Sequence, residues 1–464
     1  MTFMRKTCGS LIALCVATMA GTAWAQTTDL KSAISAAIDS HPEINQAVQN
    51  KEAIEFEREQ AKGLYLPRVS LEASAGVRRL ENTTRRAIGI EDQTLWPLEA
   101  GLVAEQTIWD SGYRSAEKRR QAARIDGAAL RVGERSQFVA LNVTRQYLDY
   151  MLQQRVVAAA EDNIAFHRKL LGDLGEGVSQ GSISIADQQQ AEERLQAALV
   201  RKSEAEQDLT NAAISFRTLT GLSIDQVSMP DPVTSAVPPT LDEAIGAART
   251  HNPLIREAEA DIQAARAVVD EAQSELGPTV TLEGRGRVGE DVDGFRGSTN
   301  DVQGRVVLRW QLFNGGINRA KVQEMTRRAS EARFRLSQRQ REAEEDVRTA
   351  WNRWDTEKKR LADLSRQGTV SDSLLVSYRE QFNVGRRSLL DVLDSQNTRF
   401  NTQVRSETAR FSEIFAQYQI LAATNQLLDT LGIAQPSGAD PYARKKYDVP
   451  DLPPAELQRR RYPG

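Results

Sequence analysis

The sequence predicts a mainly α-helical chain with a small transmembrane β part: long antiparallel helical coiled-coil hairpins plus four β-strands. Three observations carry this fold class. Residues 98–229 and 279–435 contain no proline, so long helices can run there uninterrupted. Four short stretches alternate apolar and polar residues with the two-residue period of a strand. The chain also repeats itself, each half holding one strand pair and two long helices.

Composition narrows the function classes. The 464 residues carry 60 Lys+Arg against 63 Asp+Glu and are 40% hydrophobic, a balance with no basic arm for nucleic acid and no material for several membrane helices. The histidines (His41, His167, His251) and cysteines (Cys8, Cys15) are few and scattered, so no zinc, haem or iron–sulfur ligand set is expected, and no cofactor. No nucleophile–base–orienter grouping or phosphate-cradling glycine loop stands out, and the chain is not expected to be an enzyme.

Residues 1–25 are expected to be a signal peptide. Arg5 and Lys6 precede an apolar stretch at 11–20, and Ala23-Trp24-Ala25 forms the cleavage site. Leu14 stands before Cys15 where a lipidation signal needs a small residue. A first structural repeat, 26–229, is joined by a proline-rich linker, 230–240, to a second, 241–433; residues 434–464 are expected to form a disordered tail. Leu30, Ala33, Ile34, Pro42, Ile44 and Pro67 recur 211 positions on as Leu241, Ala244, Ile245, Pro253, Ile255 and Pro278. The turn at 109–112 and the segment 181–187 recur 204 positions on at 313–316 and 385–391.

Long helices are expected at about 113–178, 184–220, 317–383 and 388–431, all rich in Ala, Gln, Glu, Arg and Leu. At ~1.5 Å per residue the longest run on the order of 95 Å, so the molecule is elongated. In the last helix, Leu393, Phe400, Ile414, Leu421 and Leu428 lie at coiled-coil spacing, with Val404, Phe411 and Tyr418 beside them. Asn397, Glu407 and Asn425 interrupt that seam, which fits a hydrated space and register-setting polar positions equally well.

Strands are expected at about 67–78, 97–108, 278–288 and 304–313. Val69, Leu71, Ala73 and Ala75 alternate with Arg68, Ser70, Glu72 and Ser74, and the other three follow suit. Strands of ~9–11 residues, apolar on one side and charged on the other, match a transmembrane barrel with a wet interior. Trp96, Trp109, Tyr113, Trp310 and Phe313 sit near the strand ends. A soluble sheet with one face on a core has the same pattern, but very long helices would interrupt it twice. Four strands cannot close alone, and an open edge in lipid leaves backbone groups unpaired. Sharing between three chains gives twelve strands, enough for an aqueous duct.

The segment 378–397, holding Tyr378, Phe382, Gly385, Arg387, Asp391, Asp394 and Asn397, completes the picture together with the 109–112 and 313–316 turns and the twofold repeat. With these features the chain resembles the TolC-like outer-membrane factors of Gram-negative efflux and type I secretion systems, over residues 29–433. The resemblance implies a homotrimer that forms one 12-stranded barrel in outer-membrane lipid and an α-helical periplasmic tunnel. It implies two partners, a periplasmic adaptor protein and an inner-membrane ABC or proton-driven transporter.

Under the same resemblance Asp391 and Asp394 ring the periplasmic aperture, and Arg387 and Asp187 form a gate latch. Phe382 stands where some members carry a tyrosine that joins the latch. The turns at Gly181 and Gly385 form the tip where the adaptor docks. The residues alone also permit plainer roles: Ser388 and Asp391 as a helix-capping pair, Asp394 as a solvated carboxylate, the glycines as simple left-handed turns. The 391–394 motif and the lack of an acyl cysteine point to type I protein secretion; the alternative is small-molecule efflux. A secreted coiled-coil adhesin or stalk also fits the helices but gives no reason for paired strands in both halves.

Overall fold

Proline, glycine and serine punctuate the chain where its elements begin and end. The computed structural model describes residues 28–454, so the expected signal peptide and the last ten residues lie outside it. The first half runs α1 (Leu30–Ser40), α2 (Pro42–Gly63), β1 (Arg68–Ala75), β2 (Arg78–Arg79), α3 (Thr83–Ala87), β3 (Thr94–Leu95), β4 (Leu98–Trp109), α4 (Tyr113–Ser179) and α5 (Ile185–Thr220). The second half runs α6 (Leu241–His251), α7 (Pro253–Ser274), β5 (Thr279–Glu290), β6 (Ser298–Arg309), α8 (Ile317–Asn383) and α9 (Leu389–Ala423), followed by α10 (Leu427–Thr430), a 3-10 turn (Ser437–Ala439) and α11 (Ala443–Lys446).

The repeat is reproduced element by element. α2 and α7 each start on a proline, whose missing N–H is one that the first helical turn leaves unpaired anyway. α4 and α8 are both 67 residues, about 100 Å long, and each follows a left-handed glycine, Gly112 or Gly316. α5 and α9 both start behind a serine whose hydroxyl accepts the N–H of an aspartate three residues on, a cap worth ~1 kcal/mol.

β1, β4, β5 and β6 form one antiparallel sheet in that order. The central core lies where α1, α6 and α10 wrap the middle of the long helices, burying Ile34, Tyr147, Phe216, Tyr418 and Leu427. α4 buries thirty of its 67 residues, whereas α8 buries ten of 67. α8 therefore lies at an edge of the chain and α4 inside it.

Several boundaries differ from expectation. β1 ends at Ala75 rather than 78. β6 spans Ser298–Arg309 rather than 304–313, because its polar start, Ser298 to Asp301, pairs with Glu290 to Arg287 while Trp310 turns aside to donate to the Leu276 carbonyl (3.0 Å). α9 stops at Ala423 instead of 431: Asn425 adopts φ 60°, and the Thr424, Asn425 and Gln426 N–H groups fold back onto Ile420, Ala422 and Leu421 carbonyls.

The tail expected to be disordered from 434 is packed as far as residue 454. Asp126, buried on α4, accepts from the Ala443 N–H (2.6 Å), the Arg444 N–H (3.1 Å) and Arg444 Nε (2.9 Å). Arg58 lies on the Tyr447 ring (4.4 Å), and Leu452 joins Ile255, Ile262 and Leu336. The tail is thus a strap across α2, α4 and α7.

Candidate functional site

Two regions bear on function: the sheet and the helix tips at the opposite end of the long helices. Residues paired across strands share a face, so the register sorts the sheet directly. Leu71, Leu102, Gly286 and Val302 form one cross-strand row, and Val69, Ala104, Gly284 and Gly304 the next. Leu282, Val306, Leu98 and Val288 extend this face, and its large side chains are exposed. Among the described residues nothing covers it.

The other face is charged. Glu283 accepts from Arg305 and Arg309 (2.7 and 2.8 Å), Arg285 reaches Glu99 (3.4 Å), and Arg287 approaches Asp301 (3.5 Å). A 12-residue strand such as β5 extends ~40 Å, or ~28 Å along the membrane normal at a 45° tilt, close to the ~30 Å hydrocarbon thickness. Trp96 marks one end of the sheet and Trp109 and Trp310 the other, all exposed. No described helix is long and apolar enough to cross a membrane; the sheet is the segment with the matching face.

The loops above the sheet are tied together. Arg85, fully buried in α3, donates to the carbonyls of Ile90 (2.6 Å) and Gln93 (3.0 Å) in its own loop and of Gly294 in the β5–β6 loop.

At the far end, α4 turns into α5 and α8 into α9. Gly181 (φ 74°) and Gly385 (φ 73°) take the left-handed position in each turn, a conformation that other residues adopt only with strain. Beside the first turn, a Cβ on Gly177 would meet Ile183 Cδ1 at 2.6 Å, so a larger residue there requires the Ile183 side chain to move. Leu170, Leu174, Ala191, Leu389 and Leu393 bring the two hairpins together, with Phe382 packed against them. Phe382 accordingly contributes apolar packing.

The structure places the expected gate residues as follows. Ser388 Oγ donates to Asp391 Oδ2 (2.8 Å) and accepts the Asp391 N–H (3.2 Å); Ser184 and Asp187 repeat the pattern (2.6 and 3.1 Å). Ser388 therefore caps α9, and Asp391, which receives the Ser388 hydroxyl, keeps its carboxylate half-exposed, while Asp394, one turn on, is exposed. Arg387 lies over the Tyr378 ring (4.2 Å), donates to Gln381 Oε1 (3.3 Å) and approaches Asp391 at 3.8 Å. Within one chain Arg387 and Asp187 are not joined.

Links that sequence reasoning missed hold the hairpins instead. Arg379 reaches Asp173 (3.1 Å) and Arg201 donates to Asn397 (2.8 Å). Their partners are about 200 residues apart, so no local pattern announces them. Between the hairpins Gln396 donates to Asn163 (2.8 Å), both buried, one turn from buried His167. Burial, then the positive charges of Arg194 and Arg201, push the His167 imidazole pKa down.

A sheet with one lipid-suited face and one charged face, carried on paired helices about 100 Å long, defines the class: an outer-membrane channel with a large periplasmic helical part. The profile of the family described as outer membrane efflux protein matches residues 33–222 and 244–432, in two blocks that follow the repeat, and the chain belongs to that family. It is a family of channels, not enzymes.

The chain is similar to the outer membrane protein TolC of Vibrio cholerae, with 23% identity over 447 residues covering 91% of this chain and 96% of that one. Protein CyaE of Bordetella pertussis is 28% identical over 308 residues (63% and 62%), and outer membrane efflux protein BepC of Brucella suis 24% over 295 residues (62% and 63%). The match thus spans less than two thirds of the BepC and CyaE proteins. Among solved structures, the outer-membrane channel OprN shares the fold at TM-score 0.76 and 18% identity, covering 86% of this chain and 90% of that one. The Campylobacter jejuni CmeC channel does so at 0.75 and 15%, covering 92% and 90%.

Proposed function

We propose that three copies of this chain close head to tail into one duct through the outer membrane and periplasm, the exit of a tripartite export system. The observation that carries this is the coincidence of open edges. Strand order β1-β4-β5-β6 follows the order of the helices joined to those strands, α2, α4, α7 and α8, so one flank is β1 with α2 and the other is β6 with α8. Phe56 on α2 and Val200 and Ile214 on α5 are exposed on the first flank, Val370 and Val376 on α8 on the second. Two unlike, complementary flanks make a heterologous interface, which closes as a ring. Three copies supply twelve strands and leave no strand edge in lipid. The test is the mass of the detergent-extracted protein and its current in planar bilayers: a trimer with discrete channels is expected, and a water-soluble single subunit would reject the proposal.

In this ring Asp391 and Asp394, three copies each, line the periplasmic aperture and favour cations, because like charges in a narrow throat focus the field. The latch runs between copies, Arg387 of one to Asp187 of the next, since each is free of the other within its own chain. The turns at Gly181 and Gly385 face the periplasmic adaptor, which couples the duct to an inner-membrane transporter.

For cargo we favour a polypeptide delivered by an ATP-driven exporter, on the 391–394 motif and the absence of any cysteine after Cys15. Small-molecule efflux is the second reading, favoured by the family's description and the name of the Brucella relative. Deleting the protein separates them: the first expects loss of a secreted polypeptide with unchanged tolerance to toxic compounds, the second the reverse.

A further inference from the structure

α9 ends and α7 begins at one place in the wall, where Asn252 Nδ2 donates to the Ala423 carbonyl (3.3 Å). A cavity of about 490 Å³ opens at this junction, between α4 and α8. All four helices belong to one chain, so no neighbouring copy is needed to complete it. From the structure we infer that this cavity is a binding site for an organic cation with an apolar body.

The chemistry of the lining supports that ligand class. Gln137 lines the cavity with 4% exposure, and neither its Nε2 nor its Oε1 has a hydrogen-bond partner. A buried amide left unpaired is unfavourable, and an ammonium N–H would satisfy its oxygen. Among the described residues neither Glu345 nor Asp346, which line the cavity, has an ion-pair partner, whereas Glu134 is held by Arg135 (2.5 Å). Arg353, the one lining cation, donates to Gln419 (3.1 Å), so the unpaired lining charge is two carboxylates against one guanidinium. Phe138 and Leu141 give an apolar wall. The negative end of α9 meets the positive end of α7, so the two helix dipoles offset each other and the side chains set the field.

The cavity faces the bore. α4 buries Val139, Val143 and Tyr147, and α8 buries Val347, in the core beneath α1 and α6. At ~100° per residue, Gln137 and Glu345 point away from that core, while Asp346 lies at its flank beside buried Ala350 and Leu141 packs against its margin. This placement rests on the tunnel proposed above; the site itself does not.

The test uses the full chain in detergent with two xanthene dyes of similar size and opposite charge, rhodamine 6G (cationic) and fluorescein (anionic), followed by fluorescence anisotropy. Rhodamine 6G is expected to bind with micromolar affinity and fluorescein not to bind. Glu345→Gln with Asp346→Asn is expected to weaken rhodamine binding at least tenfold, as is Gln137→Leu, while Asp391→Asn with Asp394→Asn leaves it unchanged. Equal binding of both dyes, or rhodamine binding unaltered in the Glu345/Asp346 variant, overturns the site. In planar bilayers the bound dye is expected to reduce single-channel current; binding without block overturns its luminal placement alone, and absence of any channel overturns the tunnel.

Discussion

Glu271, near the end of α7, faces Glu117 of α4 with Arg120 Nη1 at 3.3 Å. Burial first, then Glu117, push its carboxyl up to about 8. The folded state therefore binds this proton more tightly than the unfolded chain does. The associated stability is fully present below the ordinary carboxylate range and is lost as pH rises towards 8. Glu271→Gln is expected to raise the apparent melting temperature at pH 9, by about 1 °C for each kcal/mol recovered in a chain of this length, and to change little at pH 4. Equal shifts at both pH values would assign the effect to packing. For Asp391 and Asp394, replacement of both by Ala is expected to weaken cation preference and block by multivalent cations in single-channel recordings; unchanged selectivity would remove both from the bore. The Ser388–Asp391 cap was legible because a Ser-x-x-Asp pattern acts within four residues. The partners of Asp126 were not, because they lie more than 300 positions away and no periodicity encodes such a pairing.

Among the elements, the long helices were the most legible. Proline-free runs gave their extent, and glycine or serine at each end gave boundaries within a residue or so, as at Gly112, Ser184, Gly316 and Ser388. Legibility failed where the signal was unusual. Asn425 ends α9 in a left-handed conformation without being glycine, and β6 opens on four polar residues whose pairing depends on β5. The strap was missed because its proline-rich composition resembles a disordered segment, while its order comes from one buried carboxylate and a few aromatic contacts. Asp126→Ala is expected to release it, since Arg444 would lose its charged partner and two N–H groups their acceptor, a loss of roughly 3–5 kcal/mol. Limited trypsin digestion should then cut rapidly at Arg444, Lys445 and Lys446 while the helical circular dichroism is retained; a digestion rate equal to the parent's would refute this.

At the scale of the whole molecule, the two-residue alternation disclosed a sheet with two unlike faces, and the count of four strands disclosed that one chain is insufficient. The sequence could not order the strands, because alternation says nothing about which neighbours pair; the antiparallel β4–β5 contact that joins the halves is a tertiary fact. Val370→Glu with Val376→Glu, on the exposed side of α8, is expected to lower the trimer fraction in detergent while a single chain keeps its helix content. An undiminished trimer would move the interface elsewhere.

The two dissimilar flanks bear on heredity as well as assembly. In the proposed ring of three every copy touches both others, so one faulty edge spoils the work of two sound companions. In a cell making sound and edge-damaged chains equally, and mixing them at random, only about one ring in eight escapes. A lesion there would behave as dominant, whereas a lesion that merely prevents synthesis would be masked by the intact copy.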